Sequence, residues 1–382
     1  MKILQVIPYF TTDKGGEVNV VTNISKELVK LGHEVTIITS DFDKSTYSVP
    51  SIPGVEIKFF KTFFNFNLFI YTPSMKKWLK ENLSDYDIIH LHGYRTYQNN
   101  IAVSLSNKLN KSVILQPHGS FPKIVEKILL KSLFDLIWGK KIIERSKYII
   151  AVSETERKQL LSQGYIPPSK IIKIPNGIDG KSYEQLPDRN EFRDELGISE
   201  DDRLILFVGR LHRIKGIDFL ITSFAEALKK RSDLMLVVTG PDQGQGSELR
   251  KLVDKSDIKD KVIFYGPIED VRKAYAACEL LVYPSIYEIF GLVPFEGLMC
   301  GTPVIVTNDC GCGEIIGKAD CGVQVTYGDT AELRDAIINL IDNRNTAKRM
   351  VKNGQNFIKK NLLWQKVIFR FLGVYEDCFH NL

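Results

Sequence analysis

The sequence predicts an α/β protein made of two doubly wound domains that face a central cleft. Three observations predict it. Short β-rich runs alternate with helical patterns through the first half of the chain, and the alternation restarts in the second half. A stretch rich in Pro, Gly and polar residues, PNGIDGKSYEQLPDRN at 175–190, separates the two series and reads as an interdomain linker. The length, 382 residues, exceeds what one ordinary core organises.

The first series begins with KILQVIP (2–8), which reads as a buried strand. Residues 17–31 follow a helical period, and EVTIITS (34–40), VEIKFF (55–60), DIIHLHG (87–93), SVILQPHG (112–119) and YIIAVS (148–153) read as further strands. Helical segments near 72–83, 97–109, 123–145 and 154–163 lie between them. The second series runs RLILFVG (203–209), LMLVVTG (234–240), KVIFYG (261–266), LLVYPS (280–285), TPVIVT (302–307) and GVQVT (322–326), with helices in the gaps and a helical tail from about 330. Such βαβ alternation builds mostly parallel sheets, so the domains over 1–178 and 186–360 are each expected to be Rossmann-like. In these sheets ligands sit beyond the carboxyl ends of the strands, which is where functional residues are sought.

With 44% hydrophobic and 25% charged residues, the composition is that of a soluble globular protein. Apolar runs are broken by Lys, Asn or Pro too early for a transmembrane helix. The opening MKILQVIPYF turns polar too soon for a signal peptide. The six cysteines fit no disulfide framework, which points to a reducing cytoplasm. Cys310-Gly311-Cys312 has no second pair and no nearby His to complete a zinc set. The net charge of +5 is uneven: residues 1–185 hold 25 Lys/Arg against 17 Asp/Glu, and residues 186–382 hold 26 against 29. A basic first half suits an anionic partner or an anionic membrane surface. Nothing in the sequence points to nucleic acid.

The chemistry concentrates in YPSIYEIFGLVPFEGLMCGTPVI (283–305), where Glu288 and Glu296 are eight positions apart. On one continuous helix they would lie roughly 12 Å apart along the axis. A glycosidase pair flanks a single bond at about 5 to 9 Å. A helix that starts after Gly291 is expected instead, with Glu288 in the preceding loop and Glu296 in the early helix. Backbone N–H groups over Gly291, Leu292 and Val293 then form an anion site at the helix start. A carboxylate beside it suits a vicinal diol such as a ribose. In VGRLHRIKG, Arg210 follows a strand and Lys215 opens the next helix, two cations placed to neutralise a diphosphate. Gly15-Gly16 follows the first strand and lets backbone approach a ligand, but no G-x-G-x-x-G supports a nicotinamide site. His118-Gly119 ends a strand at the cleft face. His90 and His92 end another and read as structural or cleft-lining. Asn176-Gly177 suits a left-handed turn at the hinge. The triplets Asp41-Phe42-Asp43 and Asp85-Tyr86-Asp87 are poorly placed for a metal.

PSIYEIFGLVPFEGLMCGTPVI and VGRLHRIKG together resemble the signature of the retaining glycosyltransferases of family 4, glycosyl transferases group 1, which have the GT-B fold. The resemblance extends to Gly15-Gly16, His118, PNGID (175–179) and Glu314, and covers nearly the whole chain. Gly297 stands where the family usually has Ala, and Cys310-Gly311-Cys312-Gly313 where it commonly has a Gly pair. The resemblance implies transfer of a sugar from a nucleoside-diphosphate sugar, UDP- or GDP-linked, with retention of configuration. It implies His118 and Glu288 as catalytic residues, and Gly16, Arg210, Lys215, Phe290, Gly291, Leu292, Val293 and Glu296 as donor-binding residues. No metal and no other cofactor is expected. The acceptor should bind mainly to the first domain and the donor mainly to the second, with a last helix near 363–382 packing back on the first. The alternatives are a sugar-nucleotide 2-epimerase of the same fold and a non-catalytic protein that binds a membrane or partner.

Residues 59–71, FFKTFFNFNLFIY, hold six phenylalanines, with Lys76, Lys77, Trp78 and Lys80 close behind. Residues 123–147 carry Lys123, Lys127, Lys131, Lys140, Lys141, Arg145 and Lys147 against three acids. Aromatic and basic amphipathic segments suit an anionic lipid surface. The expected acceptor is therefore a membrane-borne glycan or polyprenyl-linked sugar, and the expected location is cytoplasmic, peripheral at the inner face of the cell membrane. Arg95 is a candidate for the acceptor phosphate.

Overall fold

The computed structural model describes residues 1–12, 15–66, 69–122 and 128–380. Lys123 and Lys127 of the expected basic helix lie outside the described residues. The chain forms two compact units, Met1–Gly177 with Trp364–Leu382, and Ile178–Leu363.

The first unit holds β1 (Lys2–Val6), β2 (Glu34–Ser40), β3 (Val55–Phe60), β4 (Phe64–Phe66), β5 (Phe69–Tyr71), β6 (Ile88–His92), β7 (Val113–Gln116), β8 (Tyr148–Ala151) and β9 (Ile171–Lys173). Seven of these form one sheet in the order β3-β2-β1-β6-β7-β8-β9, with every neighbouring pair parallel. β6 and β7 are buried along their whole length, as expected for strands covered by helices on both faces. One face packs Leu4, Leu91 and Leu115 against Ile142 and Ile143. The other packs Ile3, Ile88 and Ile114 against Trp364, Val367, Phe371 and Tyr375 of the helix Trp364–His380. Gly177 lies flat on the Trp364 ring, where any Cβ would strike the indole. Its backbone is not among the left-handed residues, so close packing, rather than a left-handed turn, is what requires glycine here.

The phenylalanine-rich stretch is an antiparallel hairpin, β4 paired with β5, with Phe64 opposite Tyr71. Phe69 stacks on Trp138 at 6.2 Å and Tyr71 meets Tyr97 at 4.9 Å, so one side of the hairpin is anchored while Phe63 remains 75% exposed. The basic helix is interrupted: Ile128–Phe134 and Lys140–Arg145 are joined by a π-turn, Asp135–Gly139. The interruption has visible causes. Gly139 is pressed against the Tyr94 hydroxyl, and Asp135 is held by a two-pronged bond to Arg95, at 2.9 and 2.8 Å. Arg95 also donates to the carbonyls of Ser120 and Phe121 at 2.7 and 2.8 Å. This corrects the expectation for Arg95: its guanidinium is committed to the fold and is not available to an acceptor phosphate.

The second unit holds β10 (Arg203–Val208), β11 (Leu234–Thr239), β12 (Val262–Gly266), β13 (Leu280–Tyr283), β14 (Val304–Thr307) and β15 (Val323–Val325). They form a parallel sheet in the order β12-β11-β10-β13-β14-β15. Both sheets reverse their winding direction once, between β1 and β6 and between β10 and β13. In doubly wound sheets the carboxyl ends of the two strands flanking such a reversal are the usual ligand position. Among the described residues no helix is long and apolar enough to cross a membrane.

Candidate active site

In the second unit, two loops meet at the switch point. The chain leaves β10 through Gly209 and Arg210, and Gly209 N–H donates to Thr239 O at 2.9 Å. Arg210 is exposed and its guanidinium donates to Gln243 Oε1 at 3.0 Å. His212 Nδ1 then accepts from Ile214 N–H at 3.3 Å and caps a short 3₁₀ turn, Arg213–Lys215. Gly216 follows with φ +65°, and a Cβ there would run into Pro284 O. Glycine thus lets the β10 loop lie directly on the backbone that follows β13. The contact is sewn by Ile214 O, which accepts from Ile286 N–H at 2.9 Å and Ser285 Oγ at 3.3 Å.

This stitching sets Lys215 against Glu288. Lys215 Nζ donates to Glu288 Oε2 at 2.6 Å and to the Tyr283 hydroxyl at 2.8 Å, and that hydroxyl donates to the same carboxylate oxygen at 2.7 Å. The ammonium also stands 5.1 Å from the centre of the Tyr283 ring. Burial pushes the Glu288 carboxyl up, but Lys215, the Tyr283 hydroxyl and the Phe290 backbone N–H together outweigh it and hold Glu288 below its ordinary value, as a carboxylate. Burial and the neighbouring anion push the Tyr283 phenol well up, so it stays a donor. Lys215 does not open a helix, since the next one begins at Ile217, and it is not a spare cation: its charge is already matched.

Glu288 lies in the loop after β13, and Glu296 lies in the first turn of the helix Val293–Met299. Glu296 Oε2 accepts from the Tyr275 hydroxyl at 3.0 Å, and burial pushes its carboxyl up. The two carboxyl groups therefore have different partners and opposite shifts. Gly291, at φ +74°, brings the loop so close that a Cβ would crowd Glu288 Cγ and Cys312 Sγ. Phe290 is buried against Phe295 at 5.5 Å between ring centres, and Leu292 and Val293 are half-buried. Pro294 supplies no N–H to the helix start. Cys310 and Cys312 are free thiols with sulfurs 3.1 Å apart. Cys310 caps the helix Gly311–Lys318 by accepting from Gly313 N–H at 3.3 Å, so the thiol performs a capping role in the Cys310–Gly313 loop.

In the first unit, Gly16 opens the helix Gly16–Lys30 after Gly15, whose φ is +67°. A Cβ on either glycine would meet nothing within 4 Å, so the space above them is open. Glu17 follows in the first helical turn. Its Oε2 accepts from the Tyr9 hydroxyl at 3.0 Å, its Oε1 has no hydrogen-bond partner among the described residues, and burial pushes it up to about 7. His118 lies two residues beyond the end of β7 in a left-handed conformation, φ +52°. Its Nε2 is 2.9 Å from His92 Nδ1, and the next peptide, Gly119 N–H, donates to Glu156 Oε1 at 2.7 Å. Burial pushes His118 and His90 down to about 3 and His92 well down, so all three rings are neutral at ordinary pH. Sequence reasoning missed Glu17, Glu156 and Gln5. Glu17, an acid directly after a glycine pair and a strand, carried the only local signal.

The aspartate triplets serve the fold: Asp41 Oδ1 accepts from Thr62 N–H and Asp87 Oδ2 from Lys2 N–H, both at 2.7 Å. Among the described residues no group of three or more His, Cys, Asp or Glu side chains is placed to hold a metal ion.

Two family models match the chain, Glycosyltransferase Family 4 over residues 14–181 and Glycosyl transferases group 1 over residues 188–357. The chain belongs to the group 1 glycosyltransferases of family 4. This glycosyltransferase is 27% identical over 380 residues to the N-acetyl-alpha-D-glucosaminyl L-malate synthase of Bacillus anthracis, covering 95% of this chain and 94% of the relative. It is 25% identical over 371 residues to an uncharacterized glycosyltransferase of Methanocaldococcus jannaschii, covering 92% of each. Among solved structures, it resembles Anabaena HepE in complex with UDP, with a TM-score of 0.82 at 18% identity, covering 99% of this chain and 100% of that one. It also resembles WaaG, a glycosyltransferase involved in lipopolysaccharide biosynthesis, with a TM-score of 0.71 at 19% identity over 96% and 97% of the two chains. At these identities the structural matches establish the GT-B fold of this glycosyltransferase, two Rossmann-like parallel sheets, and no more.

Proposed function

We propose that this glycosyltransferase takes a sugar from a nucleoside-diphosphate sugar and transfers it with retention of configuration. The observation that carries the proposal is the meeting of Lys215, Tyr283 and Glu288 at the β10/β13 switch point, with the exposed Arg210 on the same loop as Lys215. Arg210 and Lys215 bind the diphosphate and stabilise it as it departs. Glu288, kept anionic, faces the sugar and the reaction centre, and Glu296 accepts the ribose hydroxyls. Phe290, Gly291, Leu292 and Val293 contribute mainly backbone to the donor, and Gly16 leaves open space for it. His118 hydrogen-bonds a sugar hydroxyl as a neutral ring. The acceptor attacks on the face the diphosphate leaves, and the departing phosphate takes the acceptor proton. No metal takes part, since cationic side chains do the neutralising. UDP and GDP sugars are the donors to try first, and the UDP complexes of HepE favour starting with UDP.

The acceptor in this reading is a lipid-linked sugar met at a membrane surface. Leu129 and Leu136 are 86% and 82% exposed on the helical stretch that also carries Lys140, Lys141 and Arg145. Lys76, Lys80, Lys108, Lys141 and Arg145 line one cavity of about 520 Å³ in the first unit. Apolar side chains beside clustered cations suit peripheral binding to anionic lipid. A lipopolysaccharide core biosynthesis mannosyltransferase of Rhizobium meliloti, 28% identical over 246 residues, is consistent with such an acceptor.

A thermal-shift panel of UDP and GDP sugars, run with and without EDTA, tests the donor reading. A true donor at 100 times its Kd should stabilise the fold by about 2.7 kcal/mol. The shift and the release of nucleoside diphosphate should both survive EDTA. A panel with no response from any sugar nucleotide, or activity lost to EDTA and restored by Mg²⁺, would count against it.

A further inference from the structure

We infer that His92, anchored by Gln5, is a positioning residue that fixes which nitrogen His118 offers to substrate. The inference rests on the reading of His118 as a substrate contact. Gln5 is a polar residue next to the carboxyl end of β1, fully buried among apolar neighbours. Its Oε1 lies 2.5 Å from His92 Nε2, and His92 Nδ1 lies 2.9 Å from His118 Nε2. Gln5 and His92 are fully buried, whereas His118 is half-buried. The line of hydrogen bonds thus runs from inside the sheet, across β1 and β6, to the ring that reaches the surface.

The direction of that line follows from donor and acceptor counting. A carboxamide oxygen can only accept, so His92 carries its proton on Nε2. A neutral imidazole has one donor and one acceptor, so His92 Nδ1 is bare and must accept. His118 therefore donates through Nε2, and its Nδ1 is left as an acceptor with no partner among the described residues. A sugar or acceptor hydroxyl would donate to that nitrogen. The backbone supports the same function. His118 and Gly119 are consecutive left-handed residues, at φ +52° and +76°, a costly arrangement for histidine. Glu156 holds the following peptide through Gly119 N–H at 2.7 Å, while His92 holds the ring. The His92 and His118 rings lie within 21° of parallel, 5.2 Å apart, so His92 limits rotation as well as protonation.

The experiment combines side-chain ¹⁵N NMR on the full chain with kinetics on two Gln5 variants. In the wild type at pH 7, His118 should carry its proton on Nε2 with Nδ1 bare. Gln5→Met removes the acceptor oxygen at similar volume. It should introduce the second His118 tautomer and lower kcat about tenfold or more, the size of loss that follows removal of the hydrogen-bond partner of a metal-ligating histidine, while donor affinity is largely kept. Gln5→Glu keeps an acceptor oxygen in place and should restore most of both. A wild-type His118 protonated on Nδ1 would overturn the inference, as would a Gln5→Met enzyme with wild-type kcat and a mixed tautomer. Should the wild type release no nucleoside diphosphate from any sugar nucleotide, the transfer reading fails, while the NMR result still decides the direction of the relay.

Discussion

Lys215 Nζ and Glu288 Oε2 stand 2.6 Å apart, 73 residues distant in sequence, with the Tyr283 hydroxyl bonded to both. The pair is mostly buried, with 8% of the Lys215 side chain and 22% of the Glu288 side chain exposed. Each charge is therefore solvated mainly by the other. In the proposed function a donor diphosphate would meet a cation that already has a partner, so Lys215, Glu288 and Arg210 are best tested together.

Removing one member of this pair should cost more than removing both. Lys215→Met leaves a mostly buried carboxylate without its cation and should destabilise the protein by about 3 kcal/mol. It should also lower kcat/KM by about 10² or more. Adding Glu288→Gln to Lys215→Met should recover part of the stability, and a double-mutant cycle on Tm would measure it. Additive losses would mean that the two side chains do not act as a unit.

Arg210 should behave differently. It is exposed and bonds Gln243 at the surface, so Arg210→Ala should change stability by no more than about 0.5 kcal/mol. Its kcat/KM should still fall by about 10² if it makes a charge-assisted contact with the diphosphate. Turnover close to wild type would remove Arg210 from the site.

Much of the fold was legible in the sequence, because β10 to β15 and β1, β2, β6 and β7 are runs of β-branched and apolar residues separated by helical periods. Strand ends were less legible. The expected strand 112–119 stops at Gln116, because Pro117 has no N–H for a ladder and His118 turns left-handed. β9 was missed because it is short, and the β4/β5 hairpin because its phenylalanines carry no alternation. Glu288, Lys215 and His118 could be singled out by position and motif. Their partners could not: Gln5 meets His92 across 87 positions, and Tyr275 meets Glu296 across 21. Only the sheet order brings these together.

Glu17 gives a pH signature. Burial raises its carboxyl from 4.5 to about 7. A group whose folded value is raised contributes stability that is fully present below its unfolded value, near 4.5, and is lost as pH rises through about 7. Glu17→Gln has no proton to lose. The Tm advantage of the wild type over Glu17→Gln should therefore shrink from pH 4.5 to about 7 and level off above that. A gap that stays constant over that range would show that Glu17 ionises freely.

The exposed apolar stretch can be tested apart from the chemistry. Flotation with phosphatidylglycerol vesicles should carry the wild type upward, and phosphatidylcholine vesicles should not. Leu129→Asp combined with Leu136→Asp should abolish flotation while leaving the donor thermal shift unchanged, since both side chains already face solvent. Equal flotation of variant and wild type would place the lipid contact elsewhere or remove it.

The central claim is that Glu288 and Glu296 do separate jobs for one nucleotide-sugar donor. The measurement that tests it most directly is donor titration paired with single-turnover kinetics on Glu288→Gln and Glu296→Gln. Glu288→Gln should bind the donor nearly as well as the wild type and turn over slowly, because its contact matters most as charge develops. Glu296→Gln should weaken binding of UDP or GDP alone, with a smaller effect on the chemical step. A Glu288→Gln enzyme with weak donor binding and normal kcat, or a Glu296→Gln enzyme with unchanged affinity for both nucleotides, would contradict the account.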